Sequence, residues 1–210
     1  MKKVVITLAR QHGSGGLKVA KRLAEELGIC CYDSEMFRLV SNDDAMHDNR
    51  VAHDARIKNT HLFDVAKETY DEHPDDELRE EDELILMRNM FEYQSDIIRK
   101  LAEQESCVIV GRCANYILRD RTDTISVFVH APMDFRLRRA SSIHNLPEKE
   151  LEAYVRNTDE RRANYYHSYT GGNWLDASNY ELSLDASRFG ISGCAEMIKK
   201  YLKIRFPEEG

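Results

Sequence analysis

Residues 4–28 read VVITLARQHGSGGLKVAKRLAEELG. Val4–Leu8 is a short apolar run that ends at a glycine turn. Leu17, Ala20, Ala24 and Leu27 then recur at helical spacing up to Gly28, which sits at a helix C-cap position. Strand, glycine loop and helix in this order read as an anion cradle or, in the plainer alternative, as a tight connection only. The missing side chains at Gly13, Gly15 and Gly16 let backbone N–H groups converge, and the helix N-terminus adds the positive end of its dipole. Ser14 adds a hydroxyl donor, and Arg10 flanks the loop. Where a phosphate loop ends in Gly-Lys-Ser/Thr, this one has Gly15, Gly16, Leu17 and Lys18.

Four further apolar or alternating runs follow: ICCY (29–32), CVIV (107–110), ISVFVHA (125–131) and YELSLDAS (180–187). Each is succeeded by a helical pattern, and Asp33-Ser34 reads as a helix cap before EMFRLV. Strand and helix in alternation predict an α/β chain with a five-stranded parallel sheet covered on both faces, a three-layer α/β/α fold of P-loop NTPase-like type. The 210 residues read as a single domain. About 41–106 carries no strand pattern and reads as a helical insert lobe. Within it, residues 71–83 hold nine acidic residues against Arg79, and an amphipathic helix runs on from about Glu83.

The composition is that of a soluble globular chain, 42% hydrophobic and 32% charged. A net charge of −7 argues against nucleic-acid or membrane-surface partners, since like-signed polymers repel. No run approaches the ~18 apolar residues of a membrane span, and the N-terminal apolar run, which stops at Arg10, is too short for a signal-peptide core. Five cysteines, odd in number and without metal spacing, predict reduced thiols and a cytoplasmic location.

In a parallel sheet the strand ends share one edge, so residues that follow the strands are expected to converge on the glycine loop. They are Asp33 and Ser34 with Arg38 one turn on, Gly111 and Arg112, and Asp159, Arg161 and Arg162. Arginine suits such an edge because its guanidinium grips phosphate oxygens as a two-pronged fork.

The stretches RQHGSGG, GICCYDSEMF, VIVGRCANYIL, VFVHAPMDFRLRR, TDERRANYYHSYTGGNW and LSLDASRFGI together resemble the cytidylate kinase-like family, relatives of the P-loop nucleoside monophosphate kinases. The resemblance implies ATP with Mg2+ as phosphoryl donor, held at Gly13–Gly16. A nucleoside monophosphate acceptor is implied at Ser34, Arg38 and Arg112. Residues 41–106 would form the acceptor lobe and about 147–172 the lid, whose Asp159, Arg161 and Arg162 close over the site. The groups assigned to catalysis are Lys18, reaching back from the first helical turn, Asp33, Arg161 and Arg162. Val110 replaces the aspartate that precedes Gly-Arg in cytidylate kinases, and Leu17 replaces an arginine frequent in the wider family. The resemblance also favours a homodimer.

Two other readings stand beside it. One is a nucleotide-binding module without turnover, favoured by the absent lysine and hydroxyl. In that reading YYHSYTGGNW (165–174) stacks a base or packs on a neighbouring chain. The other is a metal-dependent His-Asp phosphohydrolase, suggested by His47-Asp48, His53-Asp54, His61 and Asp64 in the insert. No metal site is assigned on that basis.

Overall fold

The structure is a computed structural model that describes residues 3–41, 60–72 and 83–207. The elements run β1 (Val5–Arg10), α1 (Gly16–Leu27), β2 (Cys30–Asp33), α2 (Ser34–Val40), α3 (His61–Glu72), α4 (Glu83–Gln104), β3 (Cys107–Val110) and α5 (Ala114–Ile117). They continue with β4 (Thr124–His130), α6 (Met133–Ser141), α7 (Glu148–Thr170), a 3-10 turn (Ala177–Asn179), β5 (Leu182–Asp185) and α8 (Ala186–Arg205).

All pairings in the five-stranded sheet are parallel, in the order β2-β3-β1-β4-β5. Successive strand residues face opposite ways, and the core divides accordingly. Ile6, Leu8, Val108, Val110, Val127 and Val129 bury against α1 and α8 through Val19, Leu23, Cys194 and Ile198. On the other face Val5, Cys107 and Ile109 bury against α3 and α4 through Leu62, Tyr93, Ile97 and Leu101. The same face continues with Ala9 and Phe128, which pack on Tyr166, Trp174 and Tyr180. This is the expected α/β/α arrangement with its five parallel strands.

α1 ends as its sequence predicts. Gly28 takes φ 66° and its N–H bonds to the helix's last carbonyls, a left-handed cap that a side chain would strain. Within 41–106 the described residues form α3 and α4. His47-Asp48, His53-Asp54 and most of the acidic run lie outside the described residues. Among the described residues no helix is long and apolar enough to cross a membrane.

Because the strands are parallel, Arg10, Asp33, Val110, His130 and Asp185 end on one edge. The chain order also turns about β1, with β3 on one side and β4 on the other. That leaves a crevice beyond the carboxyl ends of the central strands, where ligands of open α/β sheets gather.

Candidate functional site

The glycine loop opens this edge. Gly13 and Gly15 take φ 79° and 90°, a region side chains avoid. A Cβ on Gly13 would lie 2.6 Å from the Arg136 carbonyl oxygen, one on Gly15 2.7 Å from Ile191 Cδ1, and one on Gly16 2.4 Å from Arg10 Cβ. The glycines therefore admit α6, α8 and β1 to within contact of the loop backbone. Ser14 is fully buried; its hydroxyl donates to the Gln11 carbonyl at 2.8 Å and accepts the Gly16 N–H at 3.3 Å. The N–H groups of Gly13, Gly15, Leu17 and Lys18 carry no hydrogen bond among the described residues. Arg139, on α6, brings Nη2 to 3.1 Å from a Cβ built on Gly15.

Next to the loop, three guanidiniums crowd together. Arg10 donates from Nη2 to Ser34 Oγ at 3.0 Å, and its Nη1 would be 2.5 Å from a Cβ on Gly111, whose φ is 84°. Burial lowers the Arg10 pKa to about 9; the charges of Arg162 and Arg112 push the same way, against Asp33 and Asp159. Arg162 donates to the Arg10 carbonyl at 3.1 Å and to Asp159 Oδ1 at 3.2 Å, and burial lowers its pKa too. Arg112 sits at φ 54° with Cys113 at 55°, two successive residues in the left-handed region. It donates from Nη2 to the Ser34 carbonyl at 3.2 Å, and its guanidinium lies 5.5 Å from the Tyr165 ring centre. Its Nε is buried without a partner among the described residues.

These groups line a cavity of about 470 Å³. Its lining includes Arg10, Ser34, Arg112, Arg161 and Arg162 together with Asn115, Tyr165, Tyr166 and Trp174. Among the described residues none of the lining groups is a carboxylate. Arg161 is the exposed member and donates to the Asn157 carbonyl at 3.3 Å. Tyr165 and Tyr169 pack within the chain: Tyr169 stacks on Phe91 of α4 at 4.0 Å, Tyr165 meets both edgewise, and the Tyr169 hydroxyl donates to the Met87 carbonyl. α7 is thus bolted to α4 beside the cavity.

Asp159 on α7 holds the loop from the other side. Its Oδ1 accepts the His12 N–H at 2.7 Å, and its Oδ2 pairs with the buried Arg136, which also donates to the His12 carbonyl at 3.3 Å. The His12 ring lies 5.3 Å from Tyr154 and 5.6 Å from His144. Burial, aided by the Arg162 charge, lowers its pKa to about 4.

Of the sequence-derived residues, Arg10, Ser34, Arg112, Arg161 and Arg162 meet at the cavity, with Gly13–Gly16 and Asp159 beside it. Lys18 and Arg38 are exposed and are not among its lining. Asp33 caps α2, accepting N–H bonds from Glu35 and Met36, and pairs with Lys21 at 3.8 Å; it faces a separate cavity shared with Cys30 and Cys31. His61 pairs with Glu105 at 3.2 Å, Asp64 is exposed, and no cluster of metal-binding side chains occurs among the described residues. Sequence reasoning passed over Arg136 and Arg139. Their signal was present, since i and i+3 on a helix share a face. Asn115 was passed over too, with nothing local to mark it.

Known proteins resemble this chain in sequence and in fold. A cytidylate kinase from Methanopyrus kandleri is 23% identical over 205 residues, covering 93% of this chain and 91% of that protein. One from Haloarcula marismortui is 28% identical over 102 residues, 47% of this chain and 53% of its own. An uncharacterized protein from Eubacterium ventriosum superposes with a TM-score of 0.71 at 26% identity, over 96% of this chain and 99% of that one. Shikimate kinase from Bacteroides thetaiotaomicron shares the fold, with a TM-score of 0.51 at 17% identity over 95% of this chain and 98% of its own. The model of the cytidylate kinase-like family matches residues 5–188, most of the chain, and the protein belongs to that family.

Proposed function

We propose that the protein is a nucleoside monophosphate kinase, with ATP as donor and a pyrimidine monophosphate as the preferred acceptor. Family membership supports a nucleotide kinase-like function. The observation that carries the acceptor site is the cavity itself: among the described residues four arginines and no carboxylate line it, in a chain of net charge −7. Arg10, lowered chiefly by burial and further by the charges of Arg162 and Arg112, sits in a cluster whose repulsion a multiply charged anion would relieve.

In the reaction, an acceptor phosphate oxygen attacks the γ-phosphorus of ATP as the bond to the β-phosphate oxygen breaks, leaving ADP and a nucleoside diphosphate. Such a transfer is governed by positioning and charge stabilisation. Arg10, Arg112 and Arg162 hold the acceptor phosphate, with Arg161 at the mouth. The unpartnered loop N–H groups and Arg139 receive the donor phosphates, so Arg139 supplies a cation where the loop lacks its lysine. Mg2+ would neutralise charge on the donor phosphates. The chain does not offer its usual hydroxyl: Lys18 stands there, and the Ser14 hydroxyl is buried in the loop.

The test is a coupled phosphotransfer screen of all ribo- and deoxyribonucleoside monophosphates with ATP and Mg2+, run beside binding measurements on the same nucleotides. Turnover with a pyrimidine monophosphate, CMP foremost, is the expected result. Binding without turnover selects the second reading, a nucleotide-binding module, which the exposed position of Lys18 favours. Absence of both sinks the site.

A further inference from the structure

One pair of polar groups in the cavity lining is built with a fixed polarity. Asn115, at the start of α5, lines it beside Tyr166 of α7. Its Nδ2 donates to the Asn179 carbonyl at 3.5 Å and to the Tyr166 hydroxyl oxygen at 3.2 Å. A main-chain carbonyl only accepts, so the amide cannot turn over without setting two oxygens against each other. Both Asn115 N–H bonds are therefore spent inside the protein, and Oδ1 is the atom left to accept. Tyr166 is buried and accepts from Asn115, and its own O–H donates to no acceptor among the described residues.

One acceptor beside one donor, on a wall that also carries Tyr165 and Trp174, is a set of groups that recognises a flat ring edge. Nucleobases present a donor next to an acceptor on such an edge. A sugar phosphate has no ring of this kind.

We infer that Asn115 and Tyr166 form the base-reading edge of the acceptor site. This inference rests on the proposed phosphate site and adds that the ligand's base is read here, through an N–H given to Asn115 Oδ1 and an acceptor met by the Tyr166 hydroxyl. Sites that hydrogen-bond a ligand group reject ligands without it strongly, because the site's own buried groups are left unpaired. The base therefore raises affinity as well as filling space.

Isothermal titration of the full chain with ribose 5-phosphate and with AMP, CMP, GMP and UMP tests this. The reading is the ratio of the tightest nucleotide affinity to that of ribose 5-phosphate. In the wild type this ratio is expected to be at least about tenfold, the measure of one good polar contact. Asn115→Ala and, separately, Tyr166→Phe are each expected to bring it close to one. Tyr166→Phe keeps the packed ring, so a folding defect of the first variant does not decide the outcome. Wild-type binding of ribose 5-phosphate with no gain from any base overturns the inference and leaves the phosphate site standing. A ratio preserved in both variants overturns it as well. Failure of the wild type to bind any of the five ligands overturns both.

Discussion

The Asp159 carboxylate reaches from α7 to the glycine loop and accepts the His12 main-chain N–H at 2.7 Å. The same carboxylate pairs with Arg136, whose side chain is 7% exposed. Removing one partner of a buried pair leaves the other charge stranded, at roughly 3–5 kcal/mol. Asp159→Asn keeps the shape and should destabilise the protein by about 3 kcal/mol or more, read as a lower urea midpoint with unchanged slope. A loss below about 1 kcal/mol would show that solvent replaces the carboxylate readily.

Arg112→Lys keeps a positive charge and removes the fork. Losing one charge-assisted contact of about 1.5–3 kcal/mol should weaken monophosphate binding by roughly ten- to a hundredfold. ATP affinity should hold, since the donor is assigned to the loop and Arg139. Equal loss of both ligands in titration calorimetry would argue that Arg112 shapes the whole edge through its bond to the Ser34 carbonyl.

Two glycines separate packing from conformational strain. Gly28 and Gly15 both sit at positive φ, but nothing lies within 4 Å of a Cβ on Gly28, whereas Ile191 lies 2.7 Å from one on Gly15. Gly28→Ala should lose the roughly 1–2 kcal/mol of left-handed strain alone. Gly15→Ala should lose at least about 1 kcal/mol more, from overpacking. Thermal unfolding of the two variants supplies the comparison. A larger Gly15→Val substitution is therefore expected to disturb the loop's packing, and any loss of ligand in it reports on the fold as well.

Burial beside Arg162 holds the His12 pKa near 4, below the ordinary value of 6.5. Between these values the unfolded chain binds a proton that the folded one refuses, so stability rises with pH across that window. The His12 contribution is fully present above about pH 6.5 and is lost as pH falls toward 4. His12→Gln should flatten the dependence of Tm on pH over this interval; an unchanged slope would assign the effect to other groups.

Much of this was written locally. The strands announce themselves as apolar runs, and Gly28 and Asp33 cap helices in the manner their types suggest, because caps depend on neighbours only a few residues away. The convergence of Arg10, Arg112 and Arg162 follows from parallel strands sharing an edge. What could not be read was rotation about a helix axis. Phe37 and Val40 claim the buried side of α2 and leave Arg38 in solvent. On α1 the buried Val19 and Ala20 leave Lys18 exposed. Arg139 reaches the loop from α6, distant in sequence, and Asn115, though only three residues after Arg112, takes its orientation from the remote Tyr166 and Asn179.

The chain holds a single tryptophan, and it is Trp174 on the cavity wall. Trp174 is 6% exposed and packs edge-on with Phe128 at 5.3 Å, so it is held against the sheet while it lines the ligand space. All indole emission from this protein therefore originates at one address. Quenching or a wavelength shift on adding a nucleotide reports occupancy of that address directly, without a label, a second enzyme or turnover, and the molecule carries its own optical gauge for a site whose occupant is still to be chosen.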